Sequence, residues 1–177
     1  MKELKGIKMK EYVKRFKLHD YSLFNEFYQK TCKQVYFTAL GILKNHTHAE
    51  DIMQETFVAF LEKIDSVKEN ENILSYLTVI ARNKSINEYN KGKRIESDQT
   101  KLETLSTESD FDNNGVESIL SLLEDDEERE IIVYHLLIGY KFKEISAIIH
   151  KPLGTVLWKY NKAIKYLKTK KEIFYEQ

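Results

Sequence analysis

The sequence predicts an all-α protein of two small helical domains, an N-terminal helical bundle and a C-terminal helix-turn-helix domain, joined by a flexible acidic linker. Three observations carry this. Helix breakers are scarce, with one Pro and six Gly in 177 residues, while good helix formers abound. Apolar residues recur at helical spacing, and no run shows convincing strand alternation. A polar stretch of about 20 residues, Ile95 to Gly115 (IESDQTKLETLSTESDFDNNG), lacks periodicity and is too long for a loop inside one compact domain. The chain divides into residues 1–94, a linker 95–115 and residues 116–177.

In chain order, Tyr21 to Leu43 is the first long helical stretch, ending near Gly41 and Asn45. The next is the most regular. Ala49, Ile52, Met53, Thr56, Phe57, Phe60, Leu61 and Ile64 follow the i, i+3, i+4, i+7 pattern over more than four turns. Thr47 with Glu50 has capping-box spacing and predicts the start of this helix. A third helix spans about Leu74 to Asn90; its apolar residues spread round most of the wheel, as in a helix buried in a bundle.

Beyond the linker, the run Ile131 to Tyr140, interrupted by His135, reads as buried helix. Phe142, Ile145, Ile148 and Ile149 then form a short apolar face. His150-Lys151-Pro152-Leu153 breaks it, and Val156, Tyr160, Ala163, Ile164 and Leu167 resume it. Two short helices about a tight turn are a helix-turn-helix pattern. Pro152 suits the position before the second helix, and Ser146 is small where the helices approach. The wheel points Thr155, Trp158, Lys159, Lys162, Lys165 and Tyr166 outward. Lysines neutralise phosphates, while Thr, Trp and Tyr reach base edges or sugars.

Net charge is zero but blocked. Residues 1–17, 82–94 and 131–177 carry net +5, +4 and +6, whereas residues 95–130 carry −11. Two basic surfaces separated by an acidic connector suggest polyanion contacts in two places. The capped helix differs. Opposite its core face lie Asp51, Gln54, Glu55, Val58 and Glu62, within about 100° of one another at helical periodicity. A solvated surface is the plain reading; a valine amid acids and amide also suits docking of a basic, partly apolar partner.

Other classes find little support. No segment approaches the roughly 18 apolar residues of a membrane span, and the charged N-terminus has no signal-peptide core. A single cysteine, Cys32, excludes an internal disulfide and a Cys-based zinc site. His46 and His48 near Glu50 and Asp51 hint at a metal, but they precede the capped helix and diverge. No glycine-rich phosphate loop or nucleophile–base pair is visible. The expectation is a cytoplasmic protein with no enzymatic activity, metal or cofactor.

Three segments resemble the ECF (extracytoplasmic function) branch of the sigma-70 family of RNA polymerase sigma factors. Ala49-Glu-Asp-Ile-Met-Gln-Glu-Thr-Phe57 looks like its core-binding helix. Leu74-Ser-Tyr-Leu-Thr-Val-Ile-Ala-Arg-Asn83 is similar to its promoter-melting helix, and Glu144-Ile-Ser-Ala-Ile-Ile-His-Lys-Pro-Leu-Gly-Thr-Val156 to its helix-turn-helix. The resemblance implies transcription initiation, with RNA polymerase core (β′ and β subunits) and promoter DNA as partners and an anti-sigma factor as an optional one. Asp51, Gln54 and Glu55, in the stripe centred on Val58, would face the β′ coiled coil. The loop Asp65–Asn72 would shape a pocket for a flipped base of the −10 element. Asn83 and Asn87 would contact that strand, and Arg82, Lys84, Lys91, Lys93 and Arg94 its backbone. Thr155, Trp158, Lys159 and Lys162, with Lys165 beyond them, would read the −35 element. The acidic linker would thread the polymerase's RNA-exit path. The rival reading is a stand-alone helix-turn-helix regulator.

Several residues depart from the family pattern. Tyr76 stands where Trp is usual before the melting helix, and Asn87 where Asp is common. Glu124-Asp-Asp-Glu-Glu128 replaces the Pro that usually opens the second domain. His150 takes a turn position often held by Gly, and Trp158 replaces a small polar residue. These bear on which promoter is read.

Overall fold

A computed structural model describes residues 8–68, 72–96 and 114–175, all helix and turn. The first helix, α1 (Met9–Lys17), was not anticipated. Its signal is Met9, Tyr12, Val13 and Phe16, the same i, i+3, i+4, i+7 spacing, hidden among lysines. Tyr12, Val13 and Phe16 are fully buried. Next come α2 (Phe24–Leu43), α3 (His46–Glu62), a 3-10 turn (Ile64–Ser66) and α4 (Ile73–Glu96).

The chain leaves α2 through Lys44, which is left-handed (φ 54°). The start of α3 differs from the expected capping box: Asn45 is the cap, its side chain accepting from the His48 N–H at 2.9 Å. Asn is among the best caps, and it places the cap two residues before Thr47. Helices α2, α3 and α4 pack against one another around an aromatic centre. Phe27 stacks on Phe60 (centroids 5.4 Å) and meets Phe16 edge-on (5.3 Å). Each such buried ring contributes roughly 1.5–3 kcal/mol by burial.

Residues 97–113, most of the expected linker, lie outside the described set, as does the centre of the Asp65–Asn72 loop. The second half holds α5 (Asn114–Ser121), α6 (Asp126–Ile132), a π-helical turn (Val133–Ile138), α7 (Phe142–Ile148) and α8 (Leu153–Tyr175). Here the reading of Ile131–Tyr140 as one buried helix needs correction. Burial lasts through Tyr134; the helix then widens into the π-turn, and Leu136 and Leu137 are exposed. Gly139, at φ +87°, ends it in a conformation costly for other residues.

Two helices flank the turn as the sequence suggests, but only α7 is short; α8 runs 23 residues to Tyr175. His150 takes positive φ (54°), and Ser146 Oγ donates to the Lys151 carbonyl at 2.6 Å, fastening the turn. Val156 and Ala163 of α8 are buried against Ile131, Ile145 and Ile148.

Buried apolar residues form two clusters, one in each half, and Phe37 of α2 packs against both. The halves touch. Gly41 permits this close approach: a Cβ there would stand 2.9 Å from Val133 Cγ2. Arg129, fully buried, donates to the carbonyls of Leu120, Leu123 and Gly41 and pairs with Asp126 at 2.9 Å. Tyr140 Oη accepts from Gln34 Nε2 at 2.7 Å and lies 2.9 Å from Thr78 Oγ1.

Candidate functional site

The core face of α3 turns Ala49, Ile52, Met53, Thr56, Phe57 and Phe60 inward. That fixes Asp51, Gln54, Glu55 and Val58 outward, and all four are exposed, Val58 at 57%. With Ala59, Glu62 and Lys84 of α4 they line an open groove of about 520 Å³. Lys84, assigned above to the DNA backbone, closes one side by pairing with Glu55 at 2.7 Å. Among the described residues no ion pair engages Asp51. The groove therefore keeps a net acidic lining around an apolar floor, suited to a cationic helix.

On α4, Asn83 and Asn87 are exposed one turn apart, as expected. Lys91 is exposed and pairs with Glu88 at 3.3 Å. Lys93 and Arg94 lie on the helix, but their side chains fall outside the described set. Arg82 is placed differently from a solvent-facing phosphate contact. It crosses to α6 and grips Glu130 through two bonds, Nε–Oε1 at 2.5 Å and Nη2–Oε2 at 3.3 Å. Burial depresses the Arg82 pKa, but the Glu130 hydrogen bond and charge outweigh it and raise the pKa overall. Tyr134 donates to the same carboxylate at 2.8 Å; burial first, then Glu130's charge, push its phenol pKa well up.

On α8, Trp158 is 61% exposed, the Lys162 ammonium lies 5.6 Å from its ring centroid, and Lys165 is exposed. Thr155 is half-buried. Lys159 and Lys162 are not simply solvated. Lys159 binds Asp125 at 2.7 Å and Glu127 at 3.3 Å, and Lys162 binds Glu128 at 2.5 Å. Lys151 of the turn adds a bond to Glu127 at 2.9 Å. Asp125 also caps α6, accepting from the Glu127 and Glu128 N–H groups, so the carboxylate sits at the positive end of the helix dipole. Burial raises the Asp125 pKa, but the hydrogen bonds from Lys159 and from the Glu128 N–H more than offset this and hold it below its usual value. Lys151's hydrogen bond chiefly lowers Glu127. Burial lowers Lys159 less than its two carboxylate bonds raise it.

Asp125, Glu127, Glu128 and Glu130 were not among the expected site residues. The signal for the first three was the run Glu124–Glu128, visible only as a departure from the family; Glu130 lies beyond it. His46 stacks on Tyr36, and its Nδ1 shares a hydrogen bond with the Tyr36 hydroxyl. Among the described residues no group of three metal-ligating side chains occurs, and no helix is long and apolar enough to cross a membrane.

An acidic groove on α3, a neighbouring helix with two exposed asparagines and a helix-turn-helix thus lie on one all-helical chain. The Sigma-70 region 2 family model matches residues 11–95. Over 131 residues, 71% of this chain and 72% of its relative, the sequence is 26% identical to the ECF RNA polymerase sigma factor EcfG of Rhodopseudomonas palustris (strain TIE-1). The fold resembles that of the sigma factor RpoE, solved in complex with the anti-sigma factor NepR from Bartonella quintana. That TM-score is 0.70 at 22% identity, covering 82% of this chain and 94% of the other. It also resembles CnrH, solved with the cytosolic domain of CnrY, at TM-score 0.68 and 19% identity, covering 93% and 97%. Residues 11–95 thus carry region 2 of the sigma-70 family, and the curated relative that the chain resembles is an ECF sigma factor. That family consists of initiation factors, not enzymes.

Proposed function

We propose that this protein binds RNA polymerase core and directs it to promoters, with residues 1–94 engaging core and the −10 element, residues 116–177 reading the −35 element and 95–115 linking the two. The observation that carries this is the exposed Asp51, Gln54, Glu55 and Val58 face on α3, set beside α4 within the region 2 match. A basic coiled coil of the β′ subunit fits that groove: its cations meet Asp51 and Glu55, and Val58 gives it an apolar seat. The Asn83–Asn87 line on α4 faces the melted strand, with Lys91, Lys93 and Arg94 along its backbone. Trp158, Thr155 and the α8 lysines face the upstream major groove.

A stand-alone regulator has no use for a region 2 domain, and that alternative is dropped. The protein acts in the cytoplasm, where polymerase is. Both solved relatives are complexes with named anti-sigma or cytosolic-domain partners, which supports an anti-sigma factor as a partner here. Run-off transcription with purified core polymerase and a genomic promoter library tests the function. Discrete transcripts dependent on this chain are expected; their absence, with core still bound, would reject promoter direction.

A further inference from the structure

We infer that Val79 of α4 reads thymine, its methyls meeting the C5-methyl of a thymine in the melted strand, beside the base that Asn83 meets. This deepens the reading of α4 as a strand-binding helix and rests on it. At helical periodicity, Val79 lies opposite Leu77, Ala81 and Ser85, the fully buried face of the helix. It is 39% exposed and belongs to neither apolar cluster. Folding gives no reason for it there, since alanine or lysine forms helix better than a β-branched valine.

Its neighbours on that face say what it meets. Asn83, Asn87 and Asn90 are exposed with it, all within about 80° of it around the helix. The nearby cations leave this stripe uncharged: Arg82, Lys84 and Lys91 lie towards its flanks and are paired with Glu130, Glu55 and Glu88. An amide offers both a donor and an acceptor to base edges, whereas a phosphate seeks cations. A neutral stripe of amides and methyls is therefore matched to bases rather than to backbone. Among the four unmodified DNA bases only thymine carries a methyl group, and apolar side chains recognise it. Val79 stands four residues before Asn83, about 6 Å along the helix, so it takes a neighbouring base rather than the same one. It adds a preference that the asparagines, which favour adenine, do not supply.

The test uses the full chain bound to polymerase core and a promoter recovered by run-off transcription, prepared with its −10 non-template segment unpaired. Each thymine of that segment is replaced in turn by deoxyuridine, which lacks only the C5-methyl. Wild-type holoenzyme should lose about fourfold in affinity at one position, the effect of removing one buried methyl group. Val79→Ala should bind the thymine and deoxyuridine strands equally at that position and keep its response elsewhere. Val79→Ile, which retains the branched methyls, should keep the discrimination. Circular dichroism should match wild type for both variants, because this side chain supports no core. A valine that only faces solvent would leave wild type indifferent to deoxyuridine at every position, or leave Val79→Ala with the same fourfold loss. Either result overturns the contact, as does a −10 segment without thymine. Asn83→Ala with Asn87→Ala tests the reading of α4 itself. Unchanged binding of the unpaired strand by that variant rejects the reading and the thymine contact with it. Indifference to deoxyuridine, with the asparagine variant still impaired, rejects the thymine contact alone.

Discussion

The outer face of α3 and the outer face of α8 look alike on a helical wheel, each a polar stripe opposite an apolar one, yet the fold treats them differently. On α3 the acidic stripe stays open, with Lys84 bound to Glu55 at one edge. On α8 the basic stripe is already met by carboxylates: Asp125, Glu127 and Glu128 hold Lys159 and Lys162. A face open in the free state can meet a partner without breaking anything. A face already paired must exchange one anion for another, so its net affinity is smaller and its selectivity greater.

The strongest way to break the comparison is at its pivot. Arg129 joins the ends of α5 and α6 to Gly41 of α2, and it is wholly buried. Arg129→Met strips several buried carbonyls and Asp126 of their donor, and should cost about 3–5 kcal/mol of stability, read by urea denaturation. A loss under about 1 kcal/mol would mean that water replaces the guanidinium freely.

Next in size is the open face. Asp51→Arg with Gln54→Ala should cost about 2–5 kcal/mol in binding to polymerase core, with circular dichroism unchanged because both side chains point to solvent. Core pull-down at wild-type strength would make the stripe a solvated surface only.

The paired face responds in the opposite sense. Glu128→Gln should free Lys162 and tighten holoenzyme on promoter DNA, steepening the dependence of log affinity on log salt by up to about 0.9 per added phosphate contact. Lys162→Ala should flatten it by a similar amount across all sequences. Trp158→Ala should instead alter which upstream sequence is preferred, by about 1–3 kcal/mol per discriminated base. Equal slopes in all three variants would show that α8 meets no phosphate through Lys162.

The smallest effect is on acid stability. The folded-state pKa values of Asp125, Asp126 and Glu127 are lowered. A carboxylate so lowered stabilises the fold above its unfolded value, near pH 4, and that contribution fades as pH falls through the folded value. The urea midpoint should therefore drop below about pH 4, and Asp125→Asn should lessen that drop.

Much of this was legible in the residues. The α3 stripe was readable because one long, regular helix defines inside and outside without help from elsewhere. The turn at His150 and the start of α8 were readable from local chemistry. What was hidden is non-local. Nothing near Arg82 announces Glu130, 48 positions away, and nothing near Lys159 announces Asp125, 34 away. Helix α1 was missed for another reason: its four apolar residues are outnumbered by charges, so composition concealed a periodicity that was present. The π-turn at Val133–Ile138 was unreadable because an apolar run carries no mark of where a helix widens.

Tyr140 has a consequence for engineering. Its hydroxyl reaches from the threshold of the DNA-reading module to both Gln34 and Thr78 of the bundle. Anyone exchanging this module for a relative's, to redirect promoter choice, would be grafting one half of a fitted joint. A chimera that keeps Gln34, Gly41 and Thr78 but receives a module lacking the tyrosine should lose the two hydrogen-bond contacts that tie the module to the bundle there. Compatibility of donor and recipient is thus better judged at these four positions than by overall sequence identity.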